Sequence, residues 1–232
     1  LYNKFFKKAM PTTTGKLGIV YTPVEIVDFI NQSVADVLKK EFKRSLSDEN
    51  IHIIDPFTGT GTFITRMIQT GLINKEALPR KYKKELHANE LILLAYYIAS
   101  INIENAYHDV MAEENGKYTP FEGICLTDTF QLYEDKDKDV DRLKFTDVFP
   151  QNSKRVIAQS KVPVQIIIAN PPYSIGQNSA NDNAQNETYP KLEKKITDTY
   201  AAGSTANLRK GLYDSYVKAF RWASDRLSAT NG

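Results

Sequence analysis

Ile53-Ile54-Asp55-Pro56-Phe57-Thr58-Gly59-Thr60-Gly61-Thr62-Phe63 is a short apolar run that ends at an acid and breaks into a turn with two glycines. These residues predict a strand, a tight loop and a helix start. Ile51, Ile53 and Ile54 are β-branched and suit a strand buried on both faces, while Gly59 and Gly61 permit positive φ and let a ligand approach the backbone closely. The acid comes at the C-terminal edge of the strand and the glycines follow it. A carboxylate and several backbone N–H groups therefore converge on one crevice, an arrangement suited to cradling a nucleotide.

A Gly-x-Gly turn between strand and helix also serves as a plain connection, so the neighbouring residues decide. There is no Gly-Lys-Ser/Thr ending for a phosphate loop, and Ile64 stands where the dinucleotide fingerprint has its third glycine. The segment Asp55 to Gly61 instead resembles the cofactor motif of amino-group methyltransferases that use S-adenosylmethionine.

Composition narrows the classes further. A chain of 232 residues, 41% hydrophobic and 25% charged, buries one substantial core and reads as an ordinary globular protein. The net charge of only +2 gives no global positive field, so any contact with DNA must be local. A single cysteine, Cys125, excludes an internal disulfide and a cysteine-based metal site, and fits a reducing cytoplasm. His52, His87 and His108 show no ligand spacing, so no metal is expected. No apolar run approaches the roughly 20 residues needed to span a bilayer. The chain begins at Leu1 and stops at Gly232 just after a predicted helix, which predicts a piece of a longer polypeptide.

Outward from the glycine turn, helical spacing predicts an amphipathic helix over Leu1 to Met10 and a polar link over Pro11 to Lys16. Thr22 is expected to cap the next helix, with Pro23 at its first position and Glu25 completing a capping box. Val27, Ile30, Val34, Val37 and Leu38 form the apolar face of that helix. Ile64, Met67 and Ile68 carry a further helix that Gly71 ends, and Ala77 to Lys84 reads as a basic connector. Glu85 to Glu90 is a second strand ending in an acid, followed by an apolar helix over Leu91 to Asn105 and a loop over Tyr107 to Pro120. Gly123 to Asp128 is a third short run ending in an acid. Glu134 to Arg142 reads as a solvated insertion, and Val164 to Ala169 is the most hydrophobic strand. Ser174 to Gly211 is polar and reads as a long mobile loop with a short helix near Leu192. The final helix, Leu212 to Leu227, is expected to lay Tyr216, Val217, Phe220, Ala223 and Leu227 on the sheet.

Strands ending in Asp55, Glu90 and Asp128 predict three carboxylates along one edge of a parallel sheet. For a bound S-adenosylmethionine, Asp55 would anchor the amino-acid end with the loop amides, Glu90 would accept from the ribose hydroxyls, and Asp128 from the adenine amino group. Asn170-Pro171-Pro172-Tyr173 ends the last strand in a rigid loop. An amine on an aromatic ring is a poor nucleophile because its lone pair is delocalised. If the Asn170 side-chain oxygen and the Pro171 carbonyl each take one amine proton, the nitrogen pyramidalises and its lone pair points at the methyl group. Tyr173 then stacks on the base.

With these motifs the chain resembles the adenine-N6 DNA methyltransferases of bacterial restriction-modification systems, with Tyr21-Thr22-Pro23 ahead of the glycine loop. Leu17-Gly18-Ile19-Val20-Tyr21-Thr22-Pro23, Ser179-Ala180-Asn181-Asp182-Asn183, Tyr189-Pro190-Lys191-Leu192 and Tyr213-Asp214-Ser215-Tyr216 are similar, more narrowly, to single-chain helicase-methyltransferase (type ISP) enzymes. The resemblance implies an α/β, Rossmann-like fold with a mainly parallel sheet flanked by helices, truncated at its C-terminal end. Residues 1–50 would be an N-terminal helical segment with the Tyr-Thr-Pro motif, and 51–232 the incomplete catalytic core with a polar loop at 174–211. It places Tyr21, Thr22, Pro23, Asp55, Pro56, Thr58, Gly59, Thr60, Gly61, Glu90, Asp128 and Asn170 around S-adenosylmethionine, and Asn170, Pro171, Pro172 and Tyr173 on a flipped adenine in double-stranded DNA. Nuclease, helicase and target-recognition domains of the same polypeptide are the implied partners, and no membrane. Lys191, Lys194, Lys195, Arg209 and Lys210 are candidate phosphate contacts in the polar loop. The Asn-Pro-Pro-Tyr chemistry also serves cytosine N4 or a protein glutamine, and a cofactor-binding module without catalysis is a further alternative.

Overall fold

A computed structural model of the chain describes residues 22–111, 118–134, 149–172, 188–204 and 210–228. The helix expected over Leu1 to Met10 lies outside these residues, as do 135–142 of the charged insertion and 174–187 and 205–209 of the polar segment. The chain divides into two compact units, one of residues 22–129, 139–170 and 230–232, the other of 1–21, 130–138 and 171–229.

The first unit is built on a parallel sheet. Among the described residues it has four strands, β1 (His52–Asp55), β2 (Leu86–Glu90), β3 (Ile124–Leu126) and β4 (Val164–Ile167), in the order β3-β2-β1-β4. All three pairings are parallel, with Ile53 opposite Leu86 and Ile54 opposite Ile167. Strand order therefore reverses beside β1: β2 and β3 are added on one side of it, and the chain returns to add β4 on the other. In such sheets the crevice at the carboxyl ends of the two strands flanking the reversal is where ligands bind. The helices are α1 (Val24–Phe42), α2 (Thr62–Gln69), α3 (Leu93–Met111), the start of α4 (Thr129–Glu134) and α5 (Pro150–Ser160). Helix α2 packs between α1 and α3, and Ile53, Ile64, Met67, Leu86, Ile103 and Ile124 meet in the core. The outer edge of β3 is closed by Asn152 of α5, whose carboxamide accepts from Leu126 N at 2.8 Å and donates to Leu126 O at 2.9 Å, as a further strand would.

Several expectations need correction. Helix α1 starts at Val24 with Pro23 ahead of it, and no side chain caps its first turn. Val37 is exposed, although Val27 and Leu38 are buried and Ile30 and Val34 pack on the core. The basic connector is an interior element: Leu78–Arg80 makes one helical turn and Lys81–Glu85 a π turn, with Leu78, Lys81 and Tyr82 all 0% exposed. Helix α3 continues past Asn105 to Met111, because Tyr107 stacks on Tyr82 with ring centroids 3.8 Å apart. Asp128 does not close β3, which ends two residues earlier at Leu126.

In the second unit α4 ends at Glu134, followed by α6 (Pro190–Ile196), a π turn (Thr197–Ala201), a 3-10 turn (Lys210–Tyr213) and α7 (Ser215–Ser228). Three sequence expectations fail here. Glu134 is buried, not solvated, and its carboxylate accepts from Lys191 N and Leu192 N at 2.9 Å, capping the uncapped start of α6. Residues 188–204 are not a mobile loop: Leu192, Ile196 and Ala201 are buried, and α6 packs on α7. The short helix near Leu192 is present. Helix α7 packs on α6 with Lys218, Ala219 and Trp222 as its buried face, while Tyr216 and Phe220 are exposed. Lys218 pairs with Glu193 at 2.7 Å.

Candidate active site

Strand β1 delivers Asp55 to the sheet's C-terminal edge at 0% exposure. One carboxylate oxygen accepts from Phe57 N at 3.2 Å, and the Asp55 carbonyl accepts from Thr58 Oγ1 at 2.8 Å, which turns the chain sharply. The other carboxylate oxygen, Oδ2, is buried with no hydrogen-bond partner among the described residues. Burial pushes Asp55 up to about 8, the Phe57 amide opposing and the nearby negative Glu90 adding to the rise. An unpaired buried acceptor of this kind is rare in a folded protein unless a ligand satisfies it.

Gly59 and Gly61 have φ of 58° and 82°, the left-handed region that the sequence required of them. They differ in what approaches. A Cβ on Gly61 would lie 3.2 Å from the Ala99 backbone and the Ile103 side chain, so this glycine makes room for α3. Asn102 of α3 also donates to Thr60 O at 2.9 Å, fixing the loop from behind. Gly59 N, in contrast, donates to Glu90 Oε2 at 2.7 Å.

Glu90 closes β2, and its Oε1 accepts from Ile92 N at 2.8 Å. Burial lifts Glu90 to about 7 against the amides of Ile92, Gly59 and Leu91. Neither Asp55 nor Glu90 has an ion-pair partner among the described residues. Asp128 is half-buried on the same edge, after β3, where Thr127 N continues the ladder to Glu90 O at 2.9 Å.

Two residues at this edge escaped the sequence reading. Asn89 accepts from Thr58 N through its main-chain carbonyl at 3.0 Å, and its side chain donates Nδ2 to Thr129 Oγ1 at 3.2 Å. Thr129 in turn donates to Pro56 O at 2.7 Å, so the Asn89 main chain and the buried Thr129 hydroxyl, braced by the Asn89 side chain, hold the loop between Pro56 and Thr58. The only hint in the sequence was their place, one residue before Glu90 and one after Asp128.

Strand β4 brings in Asn170 beside β1: Ile168 N donates to Ile54 O at 3.0 Å, and Asn170 follows two residues later. Its Nδ2 donates to Thr22 Oγ1 at 3.0 Å. The structure thus joins Thr22 and Asn170, one residue from each motif, 148 residues apart. Thr58 and Thr60 are buried in the loop, Pro23 is exposed, and Pro171 and Pro172 are half-buried. Tyr21 and Tyr173 lie outside the described residues. Cys125 is buried and its thiol pushed up to about 12 by burial, which leaves it unreactive. Among the described residues no cluster of His, Cys, Asp and Glu suits a metal ion, and no helix is long and apolar enough to cross a membrane.

The sequence profile of the family described as N-6 DNA Methylase matches residues 1–208. Among solved structures, the nuclease-deletion mutant of the type ISP restriction-modification enzyme LlaGI, in complex with a DNA substrate mimic, is 49% identical with a TM-score of 0.84, over 97% of this chain and 18% of that one. The ATP-dependent type ISP restriction-modification enzyme LlaBIII, bound to DNA, is 48% identical with a TM-score of 0.85, over 98% of this chain and 15% of that one. A DrdV–DNA complex is 42% identical with a TM-score of 0.84, over 98% of this chain and 21% of that one. The chain thus spans less than a quarter of each of these longer chains. No curated protein matches it. These likenesses bear out the α/β methyltransferase fold and the resemblance to type ISP enzymes, and they select adenine N6 among the acceptors that the motifs left open. In general the family uses S-adenosylmethionine as methyl donor. From its profile match, its fold and the motifs joined at one sheet edge, the chain belongs to the N-6 DNA methylase family, as an adenine-N6 DNA methyltransferase domain.

Proposed function

We propose that this domain methylates the N6 amine of an adenine flipped out of double-stranded DNA, within a longer bacterial, cytoplasmic enzyme that carries nuclease, helicase and target-recognition parts. The observation that carries this reading is the buried pair Asp55 and Glu90, without cationic partners, at the same strand ends as Asn170.

S-adenosylmethionine fits that pair on chemical grounds. Its ammonium and ribose hydroxyls are donors, and the site holds acceptors, above all the orphaned Oδ2 of Asp55. When bound it supplies an electrophilic methyl group. Asp55 takes the ammonium. Glu90 takes ribose hydroxyls, since an ionised carboxylate has about four acceptor sites and the amides of Ile92, Gly59 and Leu91 do not fill them all. Asp128 takes the adenine amino group. Tyr21, Thr22 and Pro23 lie beside the methionine portion, and Pro56, Thr58, Gly59, Thr60 and Gly61 wrap it. Asn170 and the Pro171 carbonyl accept the two protons of the target amine, Pro172 stiffens the loop, and Tyr173 stacks on the base.

The test is Asn170→Ala in the full-length enzyme. Loss of a preorganised acceptor at a developing charge predicts a fall of roughly 100- to 1000-fold in single-turnover methyl transfer at saturating cofactor. Cofactor affinity should hold. Transfer at the wild-type rate would overturn the assignment of Asn170.

A further inference from the structure

The middle residue of the Tyr-Thr-Pro motif, Thr22, has a side chain that does something other than its sequence position suggests. Thr22 precedes Pro23 and a helix, the place of a capping hydroxyl, yet the first turn of α1 has no side-chain cap. A proline restricts the residue before it to extended conformations. The Thr22 hydroxyl is engaged elsewhere, as acceptor for Asn170 Nδ2 at 3.0 Å. Both residues are half-buried, so water competes less for this bond than at an open surface.

That contact has a chemical consequence because a carboxamide is two-ended. One end donates twice and the other accepts, and rotation by half a turn about its last bond exchanges them. Only the oxygen is of use to a target amine, which itself brings protons. In the structure Nδ2 is the end held at Thr22, so the oxygen is on the branch away from it. A hydroxyl donates as well as accepts, so what Thr22 supplies is a fixed plane for the carboxamide, without which the group turns freely about its last bond. We propose that Thr22 is a positioning residue that holds the Asn170 carboxamide in the plane in which its oxygen meets the target. This rests on the role given to Asn170 above and moves Thr22 from contact with the cofactor to control of the catalytic amide.

The experiment compares Thr22→Val, which keeps shape and removes the hydroxyl, with Thr22→Ser, which keeps the hydroxyl, and with Asn170→Ala and the Thr22→Val/Asn170→Ala double variant. All are made in the full-length enzyme and assayed for single-turnover transfer, with S-adenosylmethionine affinity measured on the same preparations by calorimetry. Misorientation of a reacting group predicts a loss of about 10- to 100-fold for Thr22→Val. Thr22→Ser should recover most of the rate, cofactor affinity should hold in both, and the double variant should be no slower than Asn170→Ala alone, because two residues acting as one unit do not add. A Thr22→Val enzyme at the wild-type rate would overturn the proposal. So would a Thr22→Ser enzyme as slow as Thr22→Val, losses that multiply in the double variant, or a matching loss of cofactor affinity, which would return Thr22 to the cofactor site. Asn170→Ala at the wild-type rate would instead remove the underlying reading of Asn170, whatever Thr22 does.

Discussion

The two ends of the parallel sheet both bury acidic side chains and treat them in opposite ways. At the N-terminal end Glu85 is buried among cations and donors: Lys81 Nζ at 2.9 Å, the Arg80 guanidinium, and Asn50 N at 2.8 Å. Burial pushes Glu85 up, but the Lys81 hydrogen bond, the Asn50 amide and the two positive charges outweigh it and hold the carboxyl below its ordinary value. At the C-terminal end Asp55 and Glu90 are buried with amides alone, and both rise, to about 8 and about 7. A buried acid matched by cations holds structure together. One left unmatched is destabilising by itself and persists where a ligand uses it.

The largest effect is expected at the matched end. Glu85→Gln leaves the Lys81 charge, 0% exposed, without its counter-ion, with Ile51 O, at 2.8 Å, and at most one neutral amide oxygen as acceptors among the described residues. Removing one partner of a buried pair costs about 3–5 kcal/mol, and urea unfolding should read a loss of that size. A loss near zero would mean that the two ends do not differ as described.

At the unmatched end the sign reverses. Asp55 has a folded value of about 8 against an ordinary 3.8, and Glu90 about 7 against 4.5, so between these limits the folded chain binds more protons than the unfolded one. Stability is therefore fully present at low pH, falls as pH rises through the window from about 4 to about 8, and then levels. Asp55→Asn keeps Oδ1 for the Phe57 amide and removes the buried charge. It should gain on the order of 2–4 kcal/mol relative to wild type between about pH 5 and about pH 8, from unfolding curves at both. Parallel pH profiles for the two proteins would contradict this.

The smallest effect sharpens the contrast within the loop. Thr129→Val removes the hydroxyl that joins Asn89 to the Pro56 carbonyl. Unfolding should show a cost of about 1–3 kcal/mol. Cofactor affinity should fall with it, because Pro56 to Thr58 would lose its clamp, and unaltered affinity would make Thr129 a purely structural residue.

Much of this was legible because it depends on local chemistry. The run through Ile54 into Asp55, the glycines that adopt positive φ, and an acid at the end of β2 all follow from residue type and order. The parallel pairing follows from strands separated by helices, whereas the return of β4 beside β1 is seen only in the fold. What was not legible depends on partners distant in sequence. Lys81 and Tyr82 look like parts of a basic connector until Ile51 and Tyr107 are seen beside them. Glu134 looks like the start of a charged insertion until α6, more than fifty residues on, presents its uncapped amides. Thr22 carries every local mark of a helix cap, and only the fold reveals that Asn170 takes its hydroxyl. In α7 the stripe over Tyr216 and Phe220 has the right period but the wrong face, because Lys218 turns inward to Glu193.

The central claim is that the unmatched carboxylates at the C-terminal edge are the cofactor's acceptors. Titration calorimetry of S-adenosylmethionine binding across about pH 6 to about pH 8, in buffers of different ionisation enthalpy, tests it directly. An ammonium on Asp55 requires the ionised carboxylate, so binding should release protons, and affinity should rise with pH by up to roughly tenfold per unit below the Asp55 value of about 8. Asp55→Asn should bind weakly and lose most of that dependence. Wild-type affinity that is flat across this range, with no proton release, would contradict the account.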